Sequence, residues 1–202
     1  KNVEEILECS NIKNIILATH PSVNYYLAKK FINNKKNIFI EKPLVKEQKK
    51  MKKLIYLAKK NNVIIMGGYI YLYNSYIKKI KKLLNKKILG KIKFIEINRK
   101  NLGPIRNEVS AHIDLGSHDL SILLYLFDKN VKILNIETKK ILKKSVSDIS
   151  TMNLKIGNIL CDINSSWLNP TKERRLLIIG SKKMLIFDEM ETVNKLKIYN
   201  KY

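Results

Sequence analysis

The spacing of apolar residues divides the first third of the chain into short strands and amphipathic helices. A short apolar run at 14–18 precedes a segment at 22–34 in which apolar residues recur at helical spacing. The run at 37–40 predicts a second strand, and the apolar stripe among lysines at 47–60 predicts a second helix. A third strand is predicted at 63–66. Strands that alternate with helices at this spacing favour a parallel sheet with helices packed on it.

The remaining residues follow a different pattern. A further helix is predicted at 76–84, a strand of alternating residues at 91–98 and an apolar helix at 115–127. The Gly157-Asn158 pair is typical of a hairpin turn between two strands. This part therefore predicts a mostly antiparallel sheet with one or two helices. Its other alternating stretches lie at 131–138, 150–156, 158–167, 175–180 and 183–188.

Composition limits the class of protein. Apolar residues form 45% of the 202 residues, which is enough for a buried core, and the longest apolar runs are far too short to span a bilayer. Cys9 and Cys161 belong to no Cys-x-x-Cys motif or Cys/His cluster. We therefore expect no metal site and two reduced, mostly buried thiols in a cytoplasmic protein. A disulfide between them is the alternative, which that compartment disfavours.

The formal net charge of +23 raises the hypothesis of nucleic-acid binding. Lysine far outnumbers arginine, and Lys, Asn and Ile are abundant along the whole chain, as an AT-rich genome would produce by codon bias. No nucleic-acid-binding motif is present in the sequence. We favour a solvated basic surface that attracts anionic substrates, and we expect neither nucleic acid nor a membrane as a partner.

Three short segments follow the predicted parallel strands. Ligands of open parallel sheets bind at the carboxyl ends of the strands, so these segments are expected to line one edge. A proline after a strand bends the chain and fixes the direction of the preceding residue, here Lys42. The alternative is that Lys42 is one more surface lysine. The three segments are Thr19-His20-Pro21, Glu41-Lys42-Pro43 and Gly67-Gly68-Tyr69.

A second group of polar residues opens the apolar helix. Asp114 and His118 are four residues apart, which on a helix places both side chains on one face. A carboxylate one turn from an imidazole can hold its tautomer and raise its basicity, as a general acid/base requires. The alternative is that Asp114 caps the helix and His118 is a buried core residue. Asp119 is interpreted as a surface residue or as a first-turn complement to the helix dipole.

The two motifs, in this order and at this separation, resemble those of the Gfo/Idh/MocA oxidoreductases. The resemblance covers nearly the whole chain and is carried by NIFIEKPL, GGYIYLYN and HIDLGSHDLSILLYL. It implies the C-terminal part of a Rossmann-like parallel sheet, residues 1–74, followed by an α+β domain with a mostly antiparallel sheet, residues 75–202. Two stretches, one that runs from NLG at 101–103 to DLGSHDLSILLYL at 114–126 and the other SSWLNPTKERRLLIIGSKKMLIFDE at 165–189, look most like the sugar or nucleotide-sugar dehydrogenase branch.

The resemblance also implies roles by position. Lys42 would contact the substrate hydroxyl and the nicotinamide end of the cofactor, and His118 would accept the hydroxyl proton. Asp114 would orient the substrate or the histidine. Further cofactor contacts are implied for Thr19, His20, Pro21, Asn24, Glu41 and Pro43, the last after a cis peptide bond. Many members carry a histidine at the position of Asn24. Arg106 and Asn107 are candidates for binding a polar substrate.

The implied cofactor is NAD or NADP, and the implied substrate is a sugar or nucleotide sugar. Members open with a GxGxxG loop that binds the pyrophosphate, a pattern that the seven glycines of this sequence never form. We therefore expect the chain to begin inside its first domain and to end within its C-terminal sheet. We also expect these residues alone to bind the dinucleotide weakly or not at all.

The sequence leaves two other functions open. The chain could be a catalytically inactive remnant that serves as a scaffold or oligomerisation module, or a basic protein that binds nucleic acid. The dehydrogenase hypothesis depends on Lys42 and His118 meeting across one cleft. We also expect a homo-oligomer that associates through the C-terminal sheet.

Overall fold

The computed structural model describes residues 2–45, 47–107, 109–142 and 145–200. The chain divides into two compact units, Lys1–Tyr69 and Ile70–Tyr202. The family resemblance implied a domain boundary after residue 74. Each unit has its own sheet and its own buried core.

The first unit is a three-stranded parallel sheet with helices packed on it. The strands lie in the order β1-β2-β3, and both neighbouring pairs are parallel. The apolar residues of α2 and α3 pack on the strands because each helix presents one apolar stripe. The elements are α1 (Val3–Glu8), β1 (Asn14–Leu17), α2 (Pro21–Asn33), β2 (Asn37–Ile40), α3 (Gln48–Lys60) and β3 (Ile65–Gly67).

The second unit is a seven-stranded sheet with helices on one face. Its strand order is β10-β9-β8-β4-β7-β6-β5, and every neighbouring pair is antiparallel except β4 and β7. A 3-10 turn, Ile70–Tyr73, leads into it. The elements are α4 (Ser75–Asn85), β4 (Ile92–Leu102), α5 (Ala111–Asp114), α6 (Gly116–Phe127), β5 (Val131–Lys139), β6 (Ile149–Ile156), β7 (Ile159–Ser166), β8 (Leu168–Gly180), β9 (Lys183–Asp188) and β10 (Leu196–Asn200).

Alternate residues of the seven-stranded sheet face the helices. Ile95 and Ile97 of β4 lie in one core with Ile122 and Leu123 of α6, and all four are at most 3% exposed. The residues between them on β4 point to the other face, because side chains alternate along a strand. That second face carries a row of hydrogen-bonded polar side chains, among them Asn98 and Asn164.

The predicted fold class is confirmed: a parallel sheet covered by helices precedes a mostly antiparallel sheet. The strand at 37–40 has the predicted bounds, and Gly157 lies in the turn between β6 and β7 with φ of 59°. The third strand lies two residues later than the predicted start. The short helix α1 and the strand β10 were not predicted.

Among the described residues, no helix is both long enough and apolar enough to cross a bilayer.

Candidate active site

In the first unit, the segments that follow the strands lie side by side. The backbone N–H of Glu41 donates to the carbonyl oxygen of Leu17 at 2.9 Å, and the N–H of Gly68 donates to Ile40 at 2.8 Å. These bonds continue the pairing of the sheet one residue past the carboxyl ends of β2 and β3. Two of the predicted strand-end segments, at Glu41 and Gly68, therefore lie at one edge of the sheet, and their role in ligand binding stays a prediction.

The loop after β1 is fixed by its own side chains. The Thr19 hydroxyl donates to Asn24 Oδ1 at 2.6 Å, and Asn24 is fully buried. His20 is exposed and caps helix α2, since its Nδ1 accepts from the backbone N–H of Ser22 at 3.4 Å. Pro21 is the first residue of that helix. Asn24 thus holds Thr19 in place, and a direct contact of Asn24 with a cofactor stays a prediction.

The loop after β2 brings a carboxylate against a glycine. A Cβ atom added to Gly68 would lie 2.5 Å from Glu41 Oε2 and 3.3 Å from Glu41 Cα, so a larger residue here would displace the Glu41 carboxylate from its present position. Lys42 and Pro43 are half-buried, and the peptide bond between them is cis, as the resemblance implied.

These residues fit the ribose end of a dinucleotide. Glu41 supplies a carboxylate acceptor for ribose hydroxyls, and exposed Thr19 and His20 supply further polar atoms beside it. Among the described residues, no group of three or more His, Cys, Asp or Glu side chains could hold a metal ion.

In the second unit, two predicted substrate-binding residues form an ion pair. Arg106 Nε lies 3.1 Å from Asp114 Oδ2. The Asp114 side chain is 9% exposed and that of Arg106 is 53% exposed, so the pair connects the protein interior with the surface. Asn107 follows in the same loop and is also exposed. This loop precedes α5, whose last residue is Asp114.

His118 lies just past a break in the helix. Asp114 ends α5, Leu115 interrupts the helix, and His118 is the third residue of α6. The prediction assumed one continuous helix here. The His118 side chain is buried, and its ring packs edge-on against the ring of Tyr71 with centroids 5.3 Å apart. Tyr71 therefore restricts the orientation of the imidazole.

Tyr71 belongs to a buried polar network that sequence reasoning missed. Arg99 Nη1 donates to the Tyr71 hydroxyl at 2.7 Å, and that hydroxyl donates to Glu189 Oε2 at 2.7 Å. Arg99 Nη2 lies 2.7 Å from Asp119 Oδ1, and Asp119 is fully buried. The interpretation of Asp119 as a surface residue is wrong, although it does lie in the first turn of α6.

Burial and charge set the protonation of this network. Burial alone would lower the pKa of Arg99, but the Asp119 carboxylate overcomes this and raises it, so Arg99 stays charged. Burial also raises the pKa of Tyr71, so its hydroxyl stays protonated and can donate to Glu189. The alternation along β4 held a signal for this network, because Arg99 follows Ile95 and Ile97 at a spacing of two and must face the core.

Both halves of the chain match models of one protein family. Residues 1–69 match the model described as the oxidoreductase family with an NAD-binding Rossmann fold. Residues 77–186 match the model of the GFO/IDH/MocA C-terminal domain.

Curated and solved proteins are similar over nearly the whole chain. The myo-inositol 2-dehydrogenase of Thermotoga maritima is 21% identical over 94% of this chain, which spans 60% of that enzyme. The structure of the WlbA dehydrogenase from Bordetella pertussis with NADH and UDP-GlcNAcA has a TM-score of 0.89 at 17% identity, covering 100% of this chain and 62% of that one. An inositol dehydrogenase homolog from Azotobacter vinelandii with NAD+ has a TM-score of 0.86 at 16% identity, covering 98% and 59%. At these identities the solved structures show a shared fold.

Proposed function

Since this chain belongs to the GFO/IDH/MocA oxidoreductase family, we propose that it acts in an NAD(P)-dependent dehydrogenase of sugars or nucleotide sugars. The proposed reaction moves a hydride between a secondary alcohol carbon and the nicotinamide. The relatives named above suggest this substrate range, since one is a myo-inositol 2-dehydrogenase and another was crystallised with UDP-GlcNAcA.

The observation that most supports the proposal is the arrangement of the strand-end segments in the first unit. Glu41 is joined to Leu17, and Gly68 to Ile40, by backbone hydrogen bonds at the carboxyl edge of a parallel sheet. That edge is where open parallel sheets bind nucleotides. Lys42 leaves the same edge directly after Glu41, so it can reach a group bound there.

In the proposed reaction, the residues of the first unit bind the cofactor and orient the substrate. Glu41 accepts hydrogen bonds from ribose hydroxyls, and Thr19 is held ready to contact the cofactor by Asn24. The nicotinamide, when bound, supplies the hydride chemistry. The Lys42 ammonium donates to the substrate oxygen and stabilises negative charge that develops on it. A lysine suits this role because its ammonium is a compact point charge.

The residues of the second unit manage the proton. As the alcohol is oxidised, the imidazole of His118 accepts the hydroxyl proton, and in the reverse direction it returns that proton. Tyr71 packs edge-on against the ring and holds its orientation. Asp114 orients the substrate or the imidazole, and Arg106 is fixed by its ion pair with Asp114.

Substitution of the two proposed catalytic groups tests this function. Lys42→Ala and His118→Ala should each lower kcat by about 100-fold or more, because a positioned acid/base contributes about 10² to 10⁴. The measurement is NADH or NADPH formation with a panel of sugars and nucleotide sugars. Circular dichroism should show that each variant keeps its fold.

Lys49→Ala is a matched control, because Lys49 is an exposed lysine on α3. It should leave turnover unchanged. Near-normal turnover in both the Lys42 and the His118 variants would contradict the proposed mechanism. Loss of turnover in the Lys49 variant as well would point to a general effect of charge.

A further inference from the structure

A cavity of about 360 Å³ opens beside His118 in the second unit. Two arginines, Arg99 and Arg174, contribute to its wall together with Tyr71 and Glu189, and exposed Lys172 lies at its edge. A cavity of this size suits a small ligand.

The charges of the wall are unevenly balanced. Asp119 neutralises Arg99, and Glu189 accepts the Tyr71 hydroxyl. Because the Tyr71 hydroxyl is neutral, the Glu189 carboxylate keeps its charge and offsets one of the two cations Lys172 and Arg174, so the wall keeps a smaller net positive charge. Among the residues of known placement, no carboxylate lies within 4.0 Å of the Arg174 guanidinium.

The hydrogen bonds of Arg174 go to neutral acceptors. Its Nη1 donates to the carbonyl oxygens of Lys100 at 2.9 Å and Glu173 at 2.8 Å, and its Nη2 donates to Asn101 Oδ1 at 2.6 Å. The guanidinium is thus held rigidly in a half-buried place. Burial lowers the pKa of Arg174 and the charge of Arg99 lowers it further, while Tyr71 and the carboxylates of Asp119 and Glu189 offset only part of this. An anion in the cavity would offset both effects.

We propose that the substrate of this site carries an acidic group, a carboxylate or a phosphate, that binds Arg174 and Lys172 while a hydroxyl of the same molecule faces His118. This inference rests on the proposed function for the role of His118. Arg174 and Lys172 are two residues apart on β8, so their side chains leave the same face of the strand. A fixed guanidinium recognises carboxylate and phosphate through paired hydrogen bonds.

Ligand binding without cofactor tests the proposal on residues 1–202. Saturation-transfer-difference NMR would be recorded with glucose, glucuronate and glucose 6-phosphate as probes. At least one acidic probe should bind about tenfold more tightly than glucose, since a charge-assisted pair is roughly twice as strong as a neutral one. Comparison of glucuronate with glucose 6-phosphate shows whether the site binds a carboxylate or a phosphate.

Arg174→Gln should abolish the preference for the acidic probe, and Lys172→Gln should weaken it. Arg175→Gln is the matched control, because Arg175 pairs with Asn98 and faces the other side of the sheet. It removes the same charge from the same strand and should leave the preference unchanged. Arg174→Lys, which keeps the charge, should retain part of it.

Three results would overturn the proposal: equal binding of glucose and both acidic probes, no saturable signal from either acidic probe, or equal loss in the Arg174 and Arg175 variants. Thermal melting shows whether the Arg174→Gln variant has kept its fold. If it has not, the Lys172→Gln variant, changed at an exposed position, serves as the test, and an unweakened preference for the acidic probe would then overturn the proposal. The test is separate from that of the dehydrogenase, because it needs no turnover and no Lys42.

Discussion

Arg99 and Asp119 form an ion pair that is almost fully removed from water. The side chain of Arg99 is 5% exposed and that of Asp119 is 0% exposed. Desolvation of two charges costs several kcal/mol per ion in general, so such a pair adds little net stability. Removal of either partner, however, would leave the other charge buried without a counter-charge.

This dependence leads to a stability prediction. Arg99→Met should destabilise the fold by about 3–5 kcal/mol, because it leaves the Asp119 carboxylate buried and uncompensated. The double variant Arg99→Met/Asp119→Leu should lose much less. Urea unfolding at neutral pH measures both free energies. Equal losses in the single and double variants would show that packing, and not the charge, controls stability at this position.

His112 gives a prediction about pH. Burial lowers the pKa of His112 below its ordinary value of about 6.5, so the unfolded chain binds the proton more readily than the folded one. Stability should therefore fall as the pH decreases from about 6.5 through the folded-state pKa. His112→Gln should reduce that fall when urea midpoints are compared at about pH 8 and about pH 5. An unchanged fall in the variant would contradict the assignment.

The residues of the candidate site were predictable to different degrees. Lys42 and His118 belong to compact motifs, so the sequence alone could single them out. Tyr71, Arg174 and Glu189 come together from distant parts of the chain, since the hydroxyl of Tyr71 and Glu189 are 118 residues apart. Tyr71 lies in the 3-10 turn, Arg174 on β8 and Glu189 just after β9, so their proximity is a property of the tertiary structure that no single segment of sequence carries.

At the scale of elements, Gly180 lets two segments of the second unit touch through their backbones. It ends β8, and a Cβ atom added there would lie 2.0 Å from the carbonyl oxygen of Leu89. That oxygen also accepts from the N–H of Lys182 at 3.0 Å, so it cannot move freely. The loop before β4 is thereby fixed to the end of β8.

Gly180→Ala should destabilise the protein by about 3 kcal/mol, because the clash falls on backbone atoms. Gly116→Ala is the matched comparison. Its added Cβ would lie 2.8 Å from Met152 Cε, the end of a flexible side chain that can shift. Thermal unfolding should show a large loss for the first variant and a small change for the second. Similar losses for both would contradict this interpretation.

The elements that were predicted from the sequence are clear apolar patterns bounded on both sides by polar residues. β2 is a run of apolar residues between lysines and a charged loop, and its bounds were predicted without error. β10 alternates weakly and is mostly exposed, and α1 buries no residue, so neither carried a clear signal. The parallel pairing of β4 with β7 was also missed, because every hairpin around them indicates antiparallel neighbours.

The net charge of the whole molecule, +23, opposes association of two copies, whereas the second face of the large sheet favours it. That face carries apolar Phe94, Leu177 and Ile179, of which Phe94 and Ile179 are register partners. Apolar area favours association of two copies through this face. The like charges of the two copies oppose it, and salt screens them over about 8–10 Å.

The predicted homo-oligomer should therefore grow more stable as salt increases. Sedimentation equilibrium at about 0.05 M and about 0.5 M salt measures the dissociation constant under weak and strong screening. Leu177→Lys should keep the chain monomeric under both conditions. Ile55→Lys, at a 40% exposed apolar position on α3, should not. A monomer at all salt concentrations would rule out this association.

The central position of β4 has a consequence for synthesis of the chain. β4 pairs on one side with β7 and on the other with β8, and Asn98 bonds to Asn164, which is 66 residues later. A ribosome adds about 5–20 residues per second, so β4 waits roughly 3–13 seconds for its partners to emerge. During this delay Ile95 and Ile97 meet water or a chaperone. The yield of folded protein should therefore depend on the availability of chaperones that bind the nascent chain.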